Sequence, residues 1–254
     1  MEPILTRLDG AVFTITINRP EVRNALNPAA YAGLQQALMR AGRPDVRAVV
    51  ITGAGDKAFC SGHDLSAMQS DDPAEDLRFV DPIIRAVRAL PKPVIAAVNG
   101  VAVGGGLSLA LAADVRMMAD TARLVGGFMA LGLVPDLGAS WLLVRALGYH
   151  RALAWAATGA PLSAAQAHAA GLACSVVSAA ELATDTAAEA ARLAALPTIA
   201  YGETKRLLTL AMSAPLETSL EAEAQAQAIA GRTQDYSEGL AAFRDRRPPC
   251  FEGR

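Results

Sequence analysis

Two glycine-rich segments, each placed just after a short apolar run, constrain this chain more than any other feature. Val94-Ile-Ala-Ala-Val98 reads as a buried strand that begins after Pro91-Lys-Pro93 and stops at Asn99-Gly100. Gly104-Gly-Gly106 then opens an apolar, alanine-rich run from Leu107 to Ala113, predicted as a helix whose N-terminus lies at the glycines. The other segment, Ala58-Phe-Cys-Ser-Gly-His-Asp-Leu65, follows the aliphatic run Arg47 to Thr52 and its Gly53 and Gly55. A tight turn and a helix start both expose backbone N–H groups. Two of them converging on one pocket form an oxyanion hole, which receives negative charge developing on a carbonyl oxygen. Taken singly, the glycines also fit plain tight turns and close packing. A dinucleotide-binding fingerprint is not met, because Gly53-Ala-Gly55 is followed by Asp56-Lys-Ala58 and Phe59-Cys60 rather than by a helix.

Around these segments the chain divides by pattern. Val12 to Ile17 alternates as a half-buried strand, Pro28 to Arg40 has helical spacing through Tyr31, Leu34, Leu38 and Met39, and Val115 to Met118 reads as another short strand. From Ser140 onward helices dominate: Trp141 to Leu147, His150 to Thr158, Ser163 to Ala170, 181–196, 198–212, 216–229 and 237–246, with a strand-like Cys174 to Val177 between them. Strands alternating with helices to about residue 180 predict an α/β core followed by a helical portion that caps it or holds subunits together. The acidic stretch Asp71 to Asp76 around Pro73 reads as a surface loop, either a solvated turn or a lid.

Charge and composition exclude several functions. The 254 residues carry 23 Lys+Arg against 25 Asp+Glu, a formal net charge of −2 with no basic block, which gives no electrostatic footprint for nucleic acid or an anionic membrane. No window holds ~18 apolar residues free of charge. Met1 to Gly10 carries Glu2, Arg7 and Asp9 rather than a basic-then-apolar signal, so a soluble cytoplasmic protein is expected. Cys60, Cys174 and Cys250 are widely spaced and form no Cys-x-x-Cys, so neither a disulfide framework nor a metal site is expected. Counted with glycine and without tyrosine, the apolar share is roughly 59% against ~45–50% for ordinary domains. The surplus is mostly alanine, dense from Ala152 to Ala200, which suits helices that approach one another or a neighbouring subunit closely.

Five motifs in order carry a resemblance. Asn18-Arg-Pro-Glu-Val-Arg-Asn-Ala-Leu-Asn27, Ala58 to Leu65, Pro93-Val-Ile-Ala-Ala-Val-Asn-Gly100 with Gly104-Gly-Gly106, Gly132-Leu-Val-Pro-Asp136, and Gly239-Leu-Ala-Ala-Phe243 with Arg246-Arg-Pro248 span nearly the whole chain. In order and spacing they resemble the enoyl-CoA hydratase/isomerase (crotonase) superfamily. The resemblance implies a spiral of ββα units over residues 1–195 and a C-terminal helical trimerisation region over 196–254. It also implies homotrimers, often paired into hexamers, and acyl-CoA thioester substrates with no separate cofactor. It implies that the backbone N–H groups of His63 and Gly105 form the oxyanion hole, with the His63 imidazole incidental. Arg23, Ala25 and the Ser61 to Leu65 stretch, Asp64 included, would line the groove for the CoA moiety. Arg246 would approach its phosphates.

Departures from the family pattern refine the chemistry. Members that hydrate 2-enoyl-CoA use two glutamates, and the matching positions here are Ser108 and Phe128. A serine hydroxyl is a poor acid or base near neutrality and phenylalanine has no exchangeable proton. Asp136 remains, within Val134-Pro-Asp-Leu-Gly-Ala-Ser-Trp141, at a position where isomerising members carry an acid, and the segment resembles ring-1,2-epoxyphenylacetyl-CoA isomerases and 3-enoyl/2-enoyl isomerases. Shifting a double bond needs one base that removes a proton and returns it to another carbon while an oxyanion hole holds the enolate. Leu131, Leu133, Val134, Leu137 and Trp141, if they surround Asp136 in space, would raise its pKa by desolvation. The alternatives are an enoyl-CoA hydratase, a non-catalytic acyl-CoA-binding homologue, and a serine hydrolase using Ser108 with Asp136 and His150 or His168.

Overall fold

The alternation of Val12–Ile17 is realised as β2, whose Phe13, Ile15 and Ile17 are fully buried. It pairs antiparallel with β1 (Ile4–Asp9), a strand the sequence pattern did not single out, across a turn at Gly10 and Ala11. The computed structural model describes residues 2–67 and 72–254. After β2 comes α1 (Pro28–Ala41), started by Asn27, whose side chain accepts from the Ala30 N–H, with Pro28 at the first helical position where no N–H is needed.

The chain then repeats one unit. β3 (Ala48–Gly53) and β4 (Ala58–Cys60) lead to α2 (Pro73–Ala89), β5 (Val94–Val98) and β6 (Val101–Val103) to α3 (Gly105–Ala112), and β7 (Val115–Ala119) and β8 (Arg123–Val125) to α4 (Ala139–Leu147). The first strand of each unit joins a larger sheet and the second a smaller one. With α5 (Tyr149–Thr158), β9 (Leu162–Ser163), α6 (Ala164–Ala169) and β10 (Ser175–Val177) in place, the larger sheet has the order β1-β2-β3-β5-β7-β10 and the smaller β4-β6-β8-β9. From β2 to β10 the larger sheet is parallel. Covered on both faces, its β5 is buried at every position, which is why Val94 to Val98 is uniformly apolar. This is the expected α/β spiral of ββα units.

α3 is buried along all eight residues, so it is apolar all round and lies inside the molecule between α2, α4 and the smaller sheet. α7 (Leu182–Ala194) packs across β3, β5 and β7. Among the described residues, the buried core gains no side chain beyond Leu196, which packs against it only in part. The remaining helices, α8 (Thr198–Ala211), α9 (Leu216–Ala230) and α10 (Gln234–Asp245), expose Leu208, Leu216, Leu220, Ile229, Leu240 and Phe243. Arg47 ties them to the core by donating to Leu196 O, Thr198 Oγ1 and Phe251 O. Among the described residues, no helix is long and apolar enough to cross a membrane.

One expectation is corrected. Asp71 lies outside the described residues, but from Pro73 the supposed acidic loop is the first turn of α2, with the Asp72 carboxylate accepting from the Ala74 N–H at 2.9 Å. Pro73 occupies the first helical position, and Pro82 is accommodated inside the helix.

Candidate active site

The first glycine segment is fixed against the Asn18 to Asn27 motif. Arg23 O accepts from Ser61 N–H, Gly62 O from Leu26 N–H and Leu26 O from Asp64 N–H, at 3.1, 2.8 and 3.0 Å. These bonds make a short parallel ribbon in which Leu26 faces His63. In that pairing the His63 N–H points away from Leu26. The ribbon is held from beneath by Asn24, fully buried and left-handed at φ 58, whose amide donates to Ala54 O and Ala58 O and accepts from the Arg19 N–H. Arg19 also bridges the two strands, donating to Ala25 O at 2.7 Å and pairing with Asp64 at 2.8 Å.

The second glycine segment meets the first at van der Waals distance. A Cβ on Gly106 would fall 2.1 Å from Cys60 O, so only glycine lets α3 start this close to β4. A Cβ on Gly105 would lie 3.8 Å from both Gly62 Cα and His63 Cδ2. Gly105 is the first residue of α3, so its N–H has no intrahelical acceptor and lies at the positive end of the helix dipole. The His63 and Gly105 amides therefore sit on adjacent residues, each outside the regular hydrogen-bond ladder beside it.

Asp136 comes to the same place on the loop before α4. Its carbonyl accepts from the Ser108 hydroxyl at 3.0 Å, and the next residue, Leu137, left-handed at φ 47 and buried, puts Cδ1 3.1 Å from the Cβ position of Gly105. Leu137, rather than Asp136, lines with Gly105 a narrow cavity of about 10 Å³. Asp136 Oδ1 is buried and has no hydrogen-bond partner among the described residues. Burial first, and then the charge of Asp81 on α2, push the carboxyl up to about 6. Of the apolar residues expected around it, only Leu137 is buried. Leu131, Leu133, Val134 and Trp141 are exposed, so the desolvation is not a shell of those leucines and tryptophan.

Ser108 and Phe128 are the residues that the resemblance aligns with the two glutamates of hydrating members. Ser108 is fully buried within α3, and its hydroxyl faces Gly104 O and Asp136 O. His168 is engaged with Ala173 O and His150 stacks edge-on with Tyr149, so neither histidine activates Ser108 and no nucleophilic triad forms. Phe128 is buried with its ring 3.8 Å from the Cβ position of Gly104.

Beside His63 lies a cleft of about 140 Å³ lined by Leu26, Pro28, Tyr31, His63, Asp76 and Phe79 among others. Its polar members were not legible in the sequence. Tyr31 looked like one more residue on an apolar helix face, and Asp76 like part of a solvated acidic turn. The His63 imidazole is not incidental to this cleft. Its Nδ1 is 2.7 Å from Tyr31 Oη, and burial lowers its pKa while the Asp76 charge partly restores it.

The residues expected to hold the CoA moiety separate into two groups. Arg23, Ala25, Ser61, Asp64 and Leu65 come together along the ribbon, with Arg23 and Leu65 exposed. The Asp64 carboxylate is engaged with Arg19 and Ser66, bonds that hold its pKa below the usual carboxylate range. Arg246 lies elsewhere, exposed at the left-handed end of α10 with its N–H on Phe243 O.

Comparison with known proteins matches this arrangement to one family. Residues 7–254 match the family model described as enoyl-CoA hydratase/isomerase. The 1,2-epoxyphenylacetyl-CoA isomerase of Escherichia coli K12 is 44% identical, with 100% of each chain covered. A probable enoyl-CoA hydratase of Rhodobacter capsulatus is 41% identical over 94% of each. The crystal structure of enoyl-CoA hydratase from Bacillus anthracis superposes with a TM-score of 0.94 at 33% identity, covering 99% of this chain and 100% of the other.

Proposed function

The chain belongs to the enoyl-CoA hydratase/isomerase family, and from that premise we propose that it is an acyl-CoA isomerase that moves a double bond along an enoyl-CoA thioester. In this reading the thioester carbonyl oxygen accepts from the His63 and Gly105 N–H groups. The Asp136 carboxylate removes a proton from C2 of a 3-enoyl thioester. The electron pair delocalises from C2 onto the carbonyl oxygen, forming a dienolate in which the C1–C2 enolate double bond is conjugated with the C3–C4 double bond. Asp136, now a carboxylic acid, returns the proton at C4, leaving the double bond between C2 and C3. The two amides stabilise the intermediate charge, a contribution for which loss of a single donor typically costs ~10²–10³ in rate.

The observation that carries the reading is the desolvated carboxyl of Asp136. Asp136 has a buried, unpartnered oxygen and a carboxyl pushed up to about 6, next to the residue that packs on Gly105, while Ser108 and Phe128 supply no second acid to activate water. A pKa near 6 leaves the group mostly ionised at neutral pH yet readily protonated by the substrate, which suits a shuttle. The 44% identity to an enzyme named as an isomerase agrees with it. Purified protein incubated with 3-hexenoyl-CoA should give 2-hexenoyl-CoA, and Asp136→Asn should lower kcat by about 10³-fold. An unchanged rate in that variant would remove Asp136 from the mechanism.

The relatives named as probable hydratases favour a second reading, hydration of 2-enoyl-CoA. Crotonyl-CoA hydration that is sensitive to Ser108→Ala would select it, and binding without turnover across an acyl-CoA panel would select a non-catalytic role. In either case the CoA moiety would lie along the ribbon of Arg23, Ala25, Ser61 and Leu65, and Arg246 would reach it only from a neighbouring copy. The exposed apolar side chains of α8, α9 and α10 fit burial in a homotrimer or a hexamer.

A further inference from the structure

Tyr31, His63 and Asp76 meet in the 140 Å³ cleft, and the proton transfer proposed above uses none of their side chains. Burial, reinforced by the charges of Cys60, Asp136 and Asp76, keeps Tyr31 a neutral phenol, and burial likewise favours a neutral imidazole at His63. Tyr31 Oη and His63 Nδ1 lie 2.7 Å apart, and in the tautomer in which the phenol donates, the neutral imidazole carries its proton on Nε2, a donor available to a ligand. Asp76 Oδ2 is buried in the same wall and has no hydrogen-bond partner among the described residues. A carboxylate oxygen left unpaired away from water is costly, and nothing else in the wall satisfies it. The rest of the wall, Leu26, Pro28, Ala67, Phe79 and Val80, is apolar, so a plain hydrocarbon would fill the space and leave the carboxylate bare. The volume is close to that of cavities of roughly 150 Å³ that take benzene, so a six-carbon unit fits.

We propose that Asp76 and the His63 imidazole recognise a hydroxyl group on the acyl chain, the hydroxyl donating to Asp76 Oδ2 and accepting from His63 Nε2. The enzyme then prefers hydroxylated acyl-CoA thioesters to hydrocarbon ones of the same skeleton. This rests on the reading that the cleft beside His63 takes the acyl group. Tyr31 is the positioning residue that sets the imidazole tautomer.

The test is calorimetric binding of saturated thioesters that cannot isomerise: phenylacetyl-CoA against its 2-, 3- and 4-hydroxy forms, and hexanoyl-CoA against 6-hydroxyhexanoyl-CoA. At least one hydroxylated thioester should bind the wild-type protein about tenfold more tightly than its parent. Asp76→Leu should reduce that preference to within about twofold. The isosteric Asp76→Asn, whose amide oxygen still accepts, should retain part of it and keeps the test valid if the leucine variant fails to fold. Equal affinity for every hydroxylated and parent pair in the wild type, or a preference that survives Asp76→Leu, overturns the inference. Failure of all these thioesters to bind overturns the acyl-CoA reading beneath it.

Discussion

In one half of the site the chemistry is carried by backbone, and in the other by side chains. The His63 and Gly105 amides are placed by a parallel ribbon, a helix start and a glycine contact in which Gly106 leaves no room for a methyl group. Asp136, Asp76 and Tyr31 are placed by burial and by one another's charges, and two of the three have a buried oxygen with no hydrogen-bond partner among the described residues. The backbone side is the same for any thioester, because every thioester presents a carbonyl. In the reading proposed above, the side-chain side decides where protons go and which acyl group fits. The relatives include one named as an isomerase and one named as a probable hydratase.

The comparison is broken most severely from the backbone side. Gly106→Ala forces a methyl carbon to within 2.1 Å of Cys60 O, a backbone atom that cannot rotate away, so α3 and β4 must separate. The expected cost is about 3 kcal/mol or more, with Tm falling by roughly 6–12 °C at this chain length. Differential scanning calorimetry reads it directly, and an unchanged Tm would mean that the close approach is not fixed.

The side-chain half is titrated rather than broken. With the Asp136 carboxyl at about 6 and acting as base, kcat/KM for a 3-enoyl-CoA should rise about tenfold between pH 5 and pH 7 and level off above. A profile flat across that range would place the ionisation elsewhere. Stability should run the other way. A carboxyl whose folded pKa lies above its ordinary 3.8 favours the folded state fully below pH 3.8 and loses that contribution as pH rises through about 6. Asp136→Asn should therefore raise Tm by a few degrees (about 2–4 °C per kcal/mol) at pH 7.5, and the gain should vanish toward pH 4. A variant that melts lower than wild type at pH 7.5 would show that the carboxylate is not strained.

The same division explains how much the sequence revealed. The backbone half was legible because glycine spacing after apolar strands records where N–H groups must stay free and where chains must touch. The Gly104 to Gly106 triplet opens α3, the helix start the pattern predicted, and His63 lies on the ribbon against it. Asp136 was legible through its loop motif, but the source of its shifted pKa was not. The neighbouring Leu131 and Val134 face solvent, and the residue that raises it further, Asp81, lies on a different helix. Tyr31 and Asp76 escaped detection because their partnership spans α1 and α2, and α2 itself was hidden by Pro73 and Pro82. Short strands such as β4, β6 and β8, three residues each, carry too little periodicity to stand out.

The central claim is that one carboxyl carries the same proton from one carbon to another beneath the two amides. It is tested most directly with 3-hexenoyl-CoA deuterated at C2, turned over in ordinary water and analysed by mass spectrometry and NMR. A single shuttle predicts deuterium at C4 of the 2-enoyl product above the level that solvent exchange allows, and loss of that transfer along with turnover in Asp136→Asn. Product whose C4 hydrogen comes wholly from water, formed at the same rate in Asp136→Asn, would contradict it.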